Sequence, residues 1–391
     1  MSTSELRAGP GLSSSSSIIK NTLSTSNTKA TQYFKLSEFA TRGGYRGVSN
    51  EFASRGTLDR VKAFSATQEG FYFGNAYIMD VRNIIAGSNG ASGVKFDYLN
   101  TPIYKQHTST AITSGYASSN GNHGWEWGYM NYCAAMATAS DSNTNHGHYI
   151  RNCDGFVMIA CGSENNGRGG FTARSSSTEG YNDNVVIEGS WGHQNNTARD
   201  GWANLLHVQS LNSVRNHITI RNSKSSPATD NNSADIVVDG VGAVVTIDNC
   251  TIPKGVQALN GGYVDWVHHN ALFPAINFTG GAARAICSLR STQGYQTTYG
   301  GMIIVHVGNL VTSSGSRRTA TYVLLVNKTL AGASPVVVMV SSGETTGSVS
   351  ASPSFTWSIN GSDQLVATGL TGTTAGDFWF EITASGQVIT Q

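Results

Sequence analysis

Alternating apolar and polar positions dominate the middle of the chain. A phrase of the form hydrophobic–x–Ile–x–(Asn/Gly)–(Ser/Cys) returns there as HYIRNC at 148–153, VVIEGS at 185–190, ITIRNS at 218–223 and VTIDNC at 245–250. Its isoleucines, Ile150, Ile187, Ile220 and Ile247, are separated by 37, 33 and 27 residues. A strand phrase recurring at such intervals reads as a coiled β-solenoid, because one rung is too small to bury its apolar face except by stacking on the next. Alternation turns the four isoleucines inward and Arg151, Glu188, Arg221 and Asp248 outward. On adjacent rungs these charges stack about 4.8 Å apart, either as a ladder that fixes register or as a charged strip for sugars. Asn152, Asn222 and Asn249 read as an inward or corner asparagine ladder.

A second strand column follows in each rung: GFTARS at 170–175, NLLHVQS at 204–210, DIVVDG at 235–240 and GVQALN at 255–260. Alternation puts Phe171, Leu206, Ile236 and Val256 inward, with Thr172, His207, Val237 and Gln257 outward, then Arg174, Gln209, Asp239 and Leu259. The stretch between the two columns shortens along the chain. Long loops are therefore expected over one side of the N-terminal rungs, where they would wall a groove.

From about residue 290 the pattern changes to β-branched and aromatic runs such as GGMIIVHVGN (300–309), RTATYVLLVN (318–327) and DFWFEITAS (377–385), separated by Gly/Ser/Asp turns. Such runs predict an antiparallel sandwich of jelly-roll type, suited to capping, trimer formation or sugar binding. The expected fold is all-β: a right-handed parallel β-helix over 71–289, then a C-terminal β-sandwich over 290–391. Residues 1–31 read as a flexible or extended lead-in, and 32–70 as a short connecting or capping region. The echo EFATRG (38–43) and EFASRG (51–56) fits a hairpin or a short helix pair.

Composition agrees with this. Charged residues are 13% and glycines number 45, against roughly 25% charged in an ordinary domain; this favours strands and tight turns over helices. A net charge of +1 without a basic stripe argues against nucleic-acid binding. No apolar run approaches a membrane span, and the first residues, MSTSELRAGPGLSSSSS, lack the apolar core of a signal peptide. Five cysteines without metal-ligand spacing read as small buried thiols of a chain folded in a reducing cytoplasm. The stretches Asn122–His123–Gly124 and His146–Gly147–His148 read as turns, and GSNGASG (87–93) lacks the lysine of a phosphate loop. Neither metal nor cofactor is expected.

Candidate chemistry gathers around 161–239. The stretches CGSENNGRGG (161–170), WGHQNNTARDGWAN (191–204) and KSSPATDNNSAD (224–235) bring carboxylates and tryptophans over the rungs. Paired carboxyls beside aromatic faces suit glycoside hydrolysis, one protonating the leaving oxygen while the other activates water or attacks the anomeric carbon. Asp200 and Asp235 are the first-choice acids, with Glu164 and Asp239 as substitutes. Trp191 and Trp202 supply stacking surface, and the patch around Trp125 and Trp127 forms either a saccharide-stacking lip or a subunit contact. Between 151 and 223 the chain has six arginines, Arg168, Arg174 and Arg199 among them, and no lysine. Bidentate arginines suit uronate or sialate units, which opens a rival elimination chemistry with His207 or a tyrosine as base. For each carboxylate the competing reading is a surface turn residue.

The looped solenoid, the quoted rung phrases and the strand-rich terminal module together resemble bacteriophage tailspikes over roughly 70–385. That resemblance implies a homotrimer in the virion tail, made in the host cytoplasm and attached to other tail or baseplate proteins. It also implies binding of a bacterial surface polysaccharide, capsule or O-antigen, and usually its cleavage. A non-catalytic receptor-binding spike and a rigid structural spacer are the alternatives.

Overall fold

The computed structural model of the chain describes residues 4–9, 15–21, 31–99, 106–227, 234–278, 283–291, 299–310, 317–328, 336–346, 355–369, 376–386 and 388–390. It divides into two compact units, one reaching Tyr263 and one running from Val264, with the short stretch Thr246–Asn249 counted in the second. This boundary falls earlier than the expected 290, because Ala283–Ser291 already pairs antiparallel with Gln364–Gly369.

The first unit is a right-handed parallel β-helix with three strands per coil. Sheet I stacks Val48–Glu51, Phe71–Gly74, Val94–Asp97, Trp125–Gly128, His148–Arg151, Phe171–Ser175, Leu206–Ser210, Ile236–Asp239 and Val256–Leu259, all parallel. Sheet II stacks Ala111–Thr113, Ala134–Met136, Val157–Ile159, Asn182–Glu188 and Asn216–Arg221. Sheet III stacks Tyr116–Ser118, Ala139–Asp141, Gly162–Glu164, Trp191–His193 and Lys224–Ser226. Where nothing is inserted a coil takes 23 residues, as from Trp125 to His148 and from His148 to Phe171.

Three sequence expectations change here. Ile187 stacks on Ile220 in sheet II, but Ile150 belongs to sheet I, between Trp127 and Ala173. The recurring phrase marks a strand ending at a corner and does not identify a column. Asn152, Gly189 and Asn222 all have left-handed φ, +50°, +57° and +51°, a conformation Asn and Gly tolerate best. The small residue that follows, Cys153, Ser190 or Ser223, is buried. Next, Arg151 lies in sheet I with Ile150 and is thereby separated from the charge ladder, of which Glu188 and Arg221 pair at 2.7 Å in sheet II. Finally, the stretches 161–170, 191–204 and 224–235, expected to be plain loops, each contain a sheet III strand; 228–233 lie outside the described residues.

The coils also begin earlier than expected. Ile19–Asn21 pairs with Val48–Glu51, and Ser4–Arg7 with Lys35–Arg42, so parts of the lead-in and most of 35–64 form paired strands. The two EFA-x-RG segments are not equivalent: the first lies in Lys35–Arg42, while the second turns from sheet I into the corner Ala53–Ser54. The cysteines are free; Cys133, Cys153, Cys161 and Cys287 are buried. Among the described residues no helix is long and apolar enough to cross a membrane.

The interior is ordered by two ladders. Apolar side chains of sheet I stack inward, with Phe73, Phe96 and Trp127 in successive coils and Trp125 beside Trp127 at a 5.0 Å ring separation. At the corner between sheets III and I, Asn89, Asn120, Asn143, Asn166 and Asn195 form a buried amide ladder. Each Oδ1 from Asn120 onward accepts both the backbone and the side-chain N–H of the asparagine one coil earlier. This ladder, not Asn152 and Asn222, is the inward one. Four residues on stands Gly93, Gly124, Gly147 or Gly170, where a Cβ would collide with the ladder amide of the next coil at 2.7–2.9 Å, such as 2.9 Å from Asn166 at Gly147 and 2.8 Å from Asn195 at Gly170.

The second unit is a pair of antiparallel sheets. Tyr299–Leu310 pairs with Arg317–Lys328 and Gly376–Gly386, and Arg317–Lys328 with Val336–Thr346. Phe355–Ile359, Gln364–Gly369, Ala283–Ser291 and Val388–Thr390 form the other sheet. Ile303, Val305, Leu324, Phe355, Leu365 and Phe380 are among the side chains of its core.

Candidate functional site

Outward residues of sheet I form rows one coil apart. One row runs Tyr72, Lys95, Glu126, Tyr149, Thr172, His207 and Val237. Two residues on, Gly128 faces Arg151; a Cβ there would stand 3.2 Å from the Arg151 guanidinium carbon, so glycine lets that side chain lie across the preceding coil. The turns leading into the strands, Asn122–His123–Gly124, Asn145–His146–Gly147 and Arg168–Gly169–Gly170, raise their side chains along one edge. The opposite wall is the turn Ser176–Gly180, inserted after the strand Phe171–Ser175 and closed by its own antiparallel bridge.

Between these walls lies a cleft of about 380 Å³, lined by Asn122, His123, Glu126, Asn145, His146, Tyr149, Arg151, Arg168, Arg174, Glu179 and Trp202. Two carboxylates flank Tyr149. Glu126 accepts from Ser92 Oγ (3.1 Å) and from Arg151 (3.2 and 3.3 Å), with Lys95 Nζ at 3.4 Å. Arg151 also donates to Asp97 at 2.7 Å. On the other side Tyr149 donates its hydroxyl to Glu179 at 2.7 Å, while Ser176 Oγ donates to the second Glu179 oxygen and accepts the Glu179 N–H. Arg174 Nε stands 3.3 Å from Glu179 without the direction of a hydrogen bond, leaving an ion pair. Burial raises the Tyr149 pKa, and the bond to Glu179 raises it further; the phenol therefore holds its proton.

Histidines and aromatics pave the edge. His123 stacks on Tyr149 at 4.5 Å and on His146 at 5.2 Å; His146 meets Trp202 at 4.5 Å, and Trp202 covers His207 at 4.3 Å. Burial pushes His123 down to about 3 and His207 to about 4, and holds His146 well below the usual imidazole value. All three are neutral at neutral pH; His123 Nδ1 accepts the His146 N–H at 3.3 Å, and His146 Nδ1 lies 2.9 Å from Thr172 Oγ1 and accepts the Gly169 N–H.

The structure brings only part of the sequence-predicted set together. Arg168, Arg174 and Trp202 line the cleft, His207 lies under Trp202, and Asp200 pairs with Arg168 at 2.9 Å on its rim. The rest lie elsewhere. Asp235 is fully buried at a corner, bonded to Ser225 and to the Lys254 N–H; burial raises its pKa against those bonds. It is a core fastening with no access to a glycan. Asp239, two coils beyond Arg174, is held by Gln209 and Asn260. Glu164 and Trp191 face outward from sheet III, where Glu164 meets His193 at 3.7 Å and Lys224 lies over Trp191. Arg199 sits in the turn closed onto Asn196, outside the cleft lining. Trp125 and Trp127 are 0% exposed; alternation turns them inward and Glu126 outward, which reverses the lip assignment.

Glu126, Tyr149, Glu179, His123 and His146 line the cleft without having been sequence candidates for it, and Arg151 was read only as part of an outward charge strip. A signal existed for some of them. The tripeptide NHG recurs at 122–124 and 145–147, one 23-residue coil apart, and it places His123 and His146 on one edge. No repeat marks Glu179.

No protein-family model and no curated protein matches the chain. Many of the solved structures similar to it are phage tailspikes. One is the gp42 tailspike of Acinetobacter phage vb_AbaP_AS12, with 12% identity and a TM-score of 0.48 over 81% of this chain and 65% of that one. Another is the tailspike of Acinetobacter phage vB_ApiP_P1, with 14% identity and a TM-score of 0.33 over 95% and 81%. The A-module of the mannuronan C-5 epimerase AlgE4 of Azotobacter vinelandii is similar at 13% identity and a TM-score of 0.44 over 59% and 71%. At such identities, and with TM-scores below 0.5, none of these likenesses assigns a function to this chain.

Proposed function

We propose that the protein is a tailspike-type depolymerase that binds an acidic polysaccharide of a bacterial surface and hydrolyses its glycosidic bonds in the sheet I cleft. The observation that supports this is the pair Glu126 and Glu179 on either side of Tyr149, in a cleft also lined by Arg151, Arg168 and Arg174. Hydrolysis needs one carboxyl to protonate the leaving oxygen and one to activate water or attack. Glu179 is oriented for proton exchange by Tyr149 and Ser176, while Arg151 and Ser92 fix Glu126 across the cleft. Arg168 and Arg174 present planar donors to a uronate or sialate carboxylate. Tyr149, a phenol that keeps its proton, is a hydrogen-bond donor and not a base; this sets hydrolysis ahead of elimination through a tyrosinate. The working unit in this proposal is a homotrimer carried on a phage tail.

The test is incubation with capsule or O-antigen from candidate hosts, reading oligosaccharide release by size. Wild type releases fragments, and Glu179→Gln releases them about 10²–10⁴-fold more slowly, the usual worth of a positioned acid or base. Cleavage by Glu179→Gln at the wild-type rate would overturn the assignment. Ultraviolet-absorbing unsaturated products would move the chemistry to elimination. Tight binding without fragments would assign a non-catalytic receptor-binding spike.

A further inference from the structure

His207 is a buried imidazole without a partner. It points outward from sheet I, toward the side of the cleft, yet it is only 6% exposed, and neither Nδ1 nor Nε2 has a hydrogen bond. Asp239, the nearby carboxylate, is occupied by Gln209 and Asn260. Leaving a buried polar side chain unsatisfied is costly, so its cover invites explanation. That cover is Trp202, whose ring lies 4.3 Å from the imidazole.

Trp202 belongs to a loop with fixed ends. Asn195 donates its backbone and side-chain N–H to Asn204 at 2.8 and 3.0 Å across its neck. Its first half is pinned to the previous coil through Asn196, Thr197 and Ala198, which donate to Arg168, Asn166 and Gly167. Among the described residues the second half has one backbone tie, from the Asp200 N–H to Asn196 Oδ1 at 3.2 Å, and is otherwise held by side chains. Asp200 pairs with Arg168 at 2.9 Å, both side chains partly in solvent, and the Arg168 guanidinium lies 5.8 Å from the Trp202 ring centre. Between Asp200 and Trp202 stands Gly201 with φ +89°, where an added Cβ would touch nothing within 4 Å. A free glycine beside a pair that solvent screens is a hinge beside a weak latch.

We propose that Trp202 is a lid over a closed extension of the cleft. When the Arg168–Asp200 latch opens, the cleft lengthens by one coil, and the freed His207 imidazole hydrogen-bonds a neutral hydroxyl of a sugar ring that stacks on Trp202. The inference deepens the glycan-cleaving reading and rests on it for its ligand. It divides the substrate's recognition in two: arginines take the acidic unit, and a neutral histidine with an indole takes an uncharged one. His207 is a binding residue here and not the base considered from sequence.

Lid and ligand are tested separately. Diethyl pyrocarbonate labels accessible imidazoles, and peptide mass spectrometry reads each site in the intact protein. His207 is expected to label much more slowly than His193 in wild type and rapidly in Trp202→Ala. In Asp200→Asn it should label about two- to fivefold faster than in wild type, the worth of one exposed ion pair. Equal labelling of His207 in wild type and Trp202→Ala would overturn the lid; no change in Asp200→Asn would overturn the latch. With a polysaccharide that wild type degrades, His207→Phe raises KM about three- to tenfold with kcat largely kept, the worth of one hydrogen bond, and His207→Gln recovers part of the loss. An unchanged KM in His207→Phe would overturn the subsite. If wild type degrades no polysaccharide, the labelling series still decides the lid.

Discussion

Trp125→Ala is expected to destabilise the β-helix by about 3–5 kcal/mol, the usual cost of emptying a buried aromatic site, while glycan affinity measured below the unfolding midpoint stays near wild type. The opposite result, lost affinity with unchanged stability, would return Trp125 to the surface. Its ring packs between coils, and its Nε1 donates to the Ala139 carbonyl inside the core. At this scale the parity of a position decides its use. Glu126 sits between two inward tryptophans and is turned to the cleft by the same alternation that aligns it with Lys95 and Tyr149. That was legible in WEW, once the neighbouring coils VKF and HYI fixed which residues face in. Glu179 was not legible, since a glutamate in the short turn Ser176–Gly180 looks like any solvated carboxylate. Only the fold back onto Tyr149 gives it a role, and no local pattern encodes that return.

Among elements, the corner between sheets III and I specifies the coil. An asparagine followed four residues later by glycine, as in Asn120–Gly124, Asn143–Gly147 and Asn166–Gly170, stacks amide on amide and leaves no room for a side chain. Gly147→Ala would place a Cβ 2.0 Å from Ser163 Oγ and 2.8 Å from the Gly170 carbonyl; a loss of about 1–3 kcal/mol is expected from such overpacking. Gly162→Ala, whose Cβ would meet only Ala139 at 3.8 Å, should leave the denaturation midpoint close to wild type. Equal effects of the two would contradict the ladder as the determinant of the coil. The 23-residue period was present in the sequence through this corner. The isoleucine phrase obscured it, because the same left-handed bend ends strands of sheet I at Asn152 and of sheet II at Gly189 and Asn222. Insertions then stretched the apparent period, while the stacking order of Phe171, Leu206, Ile236 and Val256 survived because no insertion interrupts those strands.

For the whole molecule, buried neutral histidines set a pH limit. Burial holds His107, His148 and His207 near 4 and His123 near 3, below the 6.5 of an unfolded chain. The unfolded state then binds more protons as the pH falls below about 6.5, and stability is lost from there down through the folded values. At pH 5 each such histidine costs on the order of 2 kcal/mol, so urea unfolding of the β-helix should shift to clearly lower midpoints between pH 7 and pH 5. A flat profile over that interval would show that these imidazoles are open to water. The all-β plan of helix followed by sandwich was readable from composition and strand runs; the place of the cleft was not, because it depends on which of three faces each strand occupies. That placement is tested most directly by a crystal structure of Glu179→Gln with an oligosaccharide from the polysaccharide it binds. The saccharide is expected along the outward face of sheet I, between Glu126 and Glu179, with an acidic unit against Arg168 or Arg174. A saccharide seated instead on Trp191 and Glu164 of sheet III, or on the C-terminal sandwich, would contradict it.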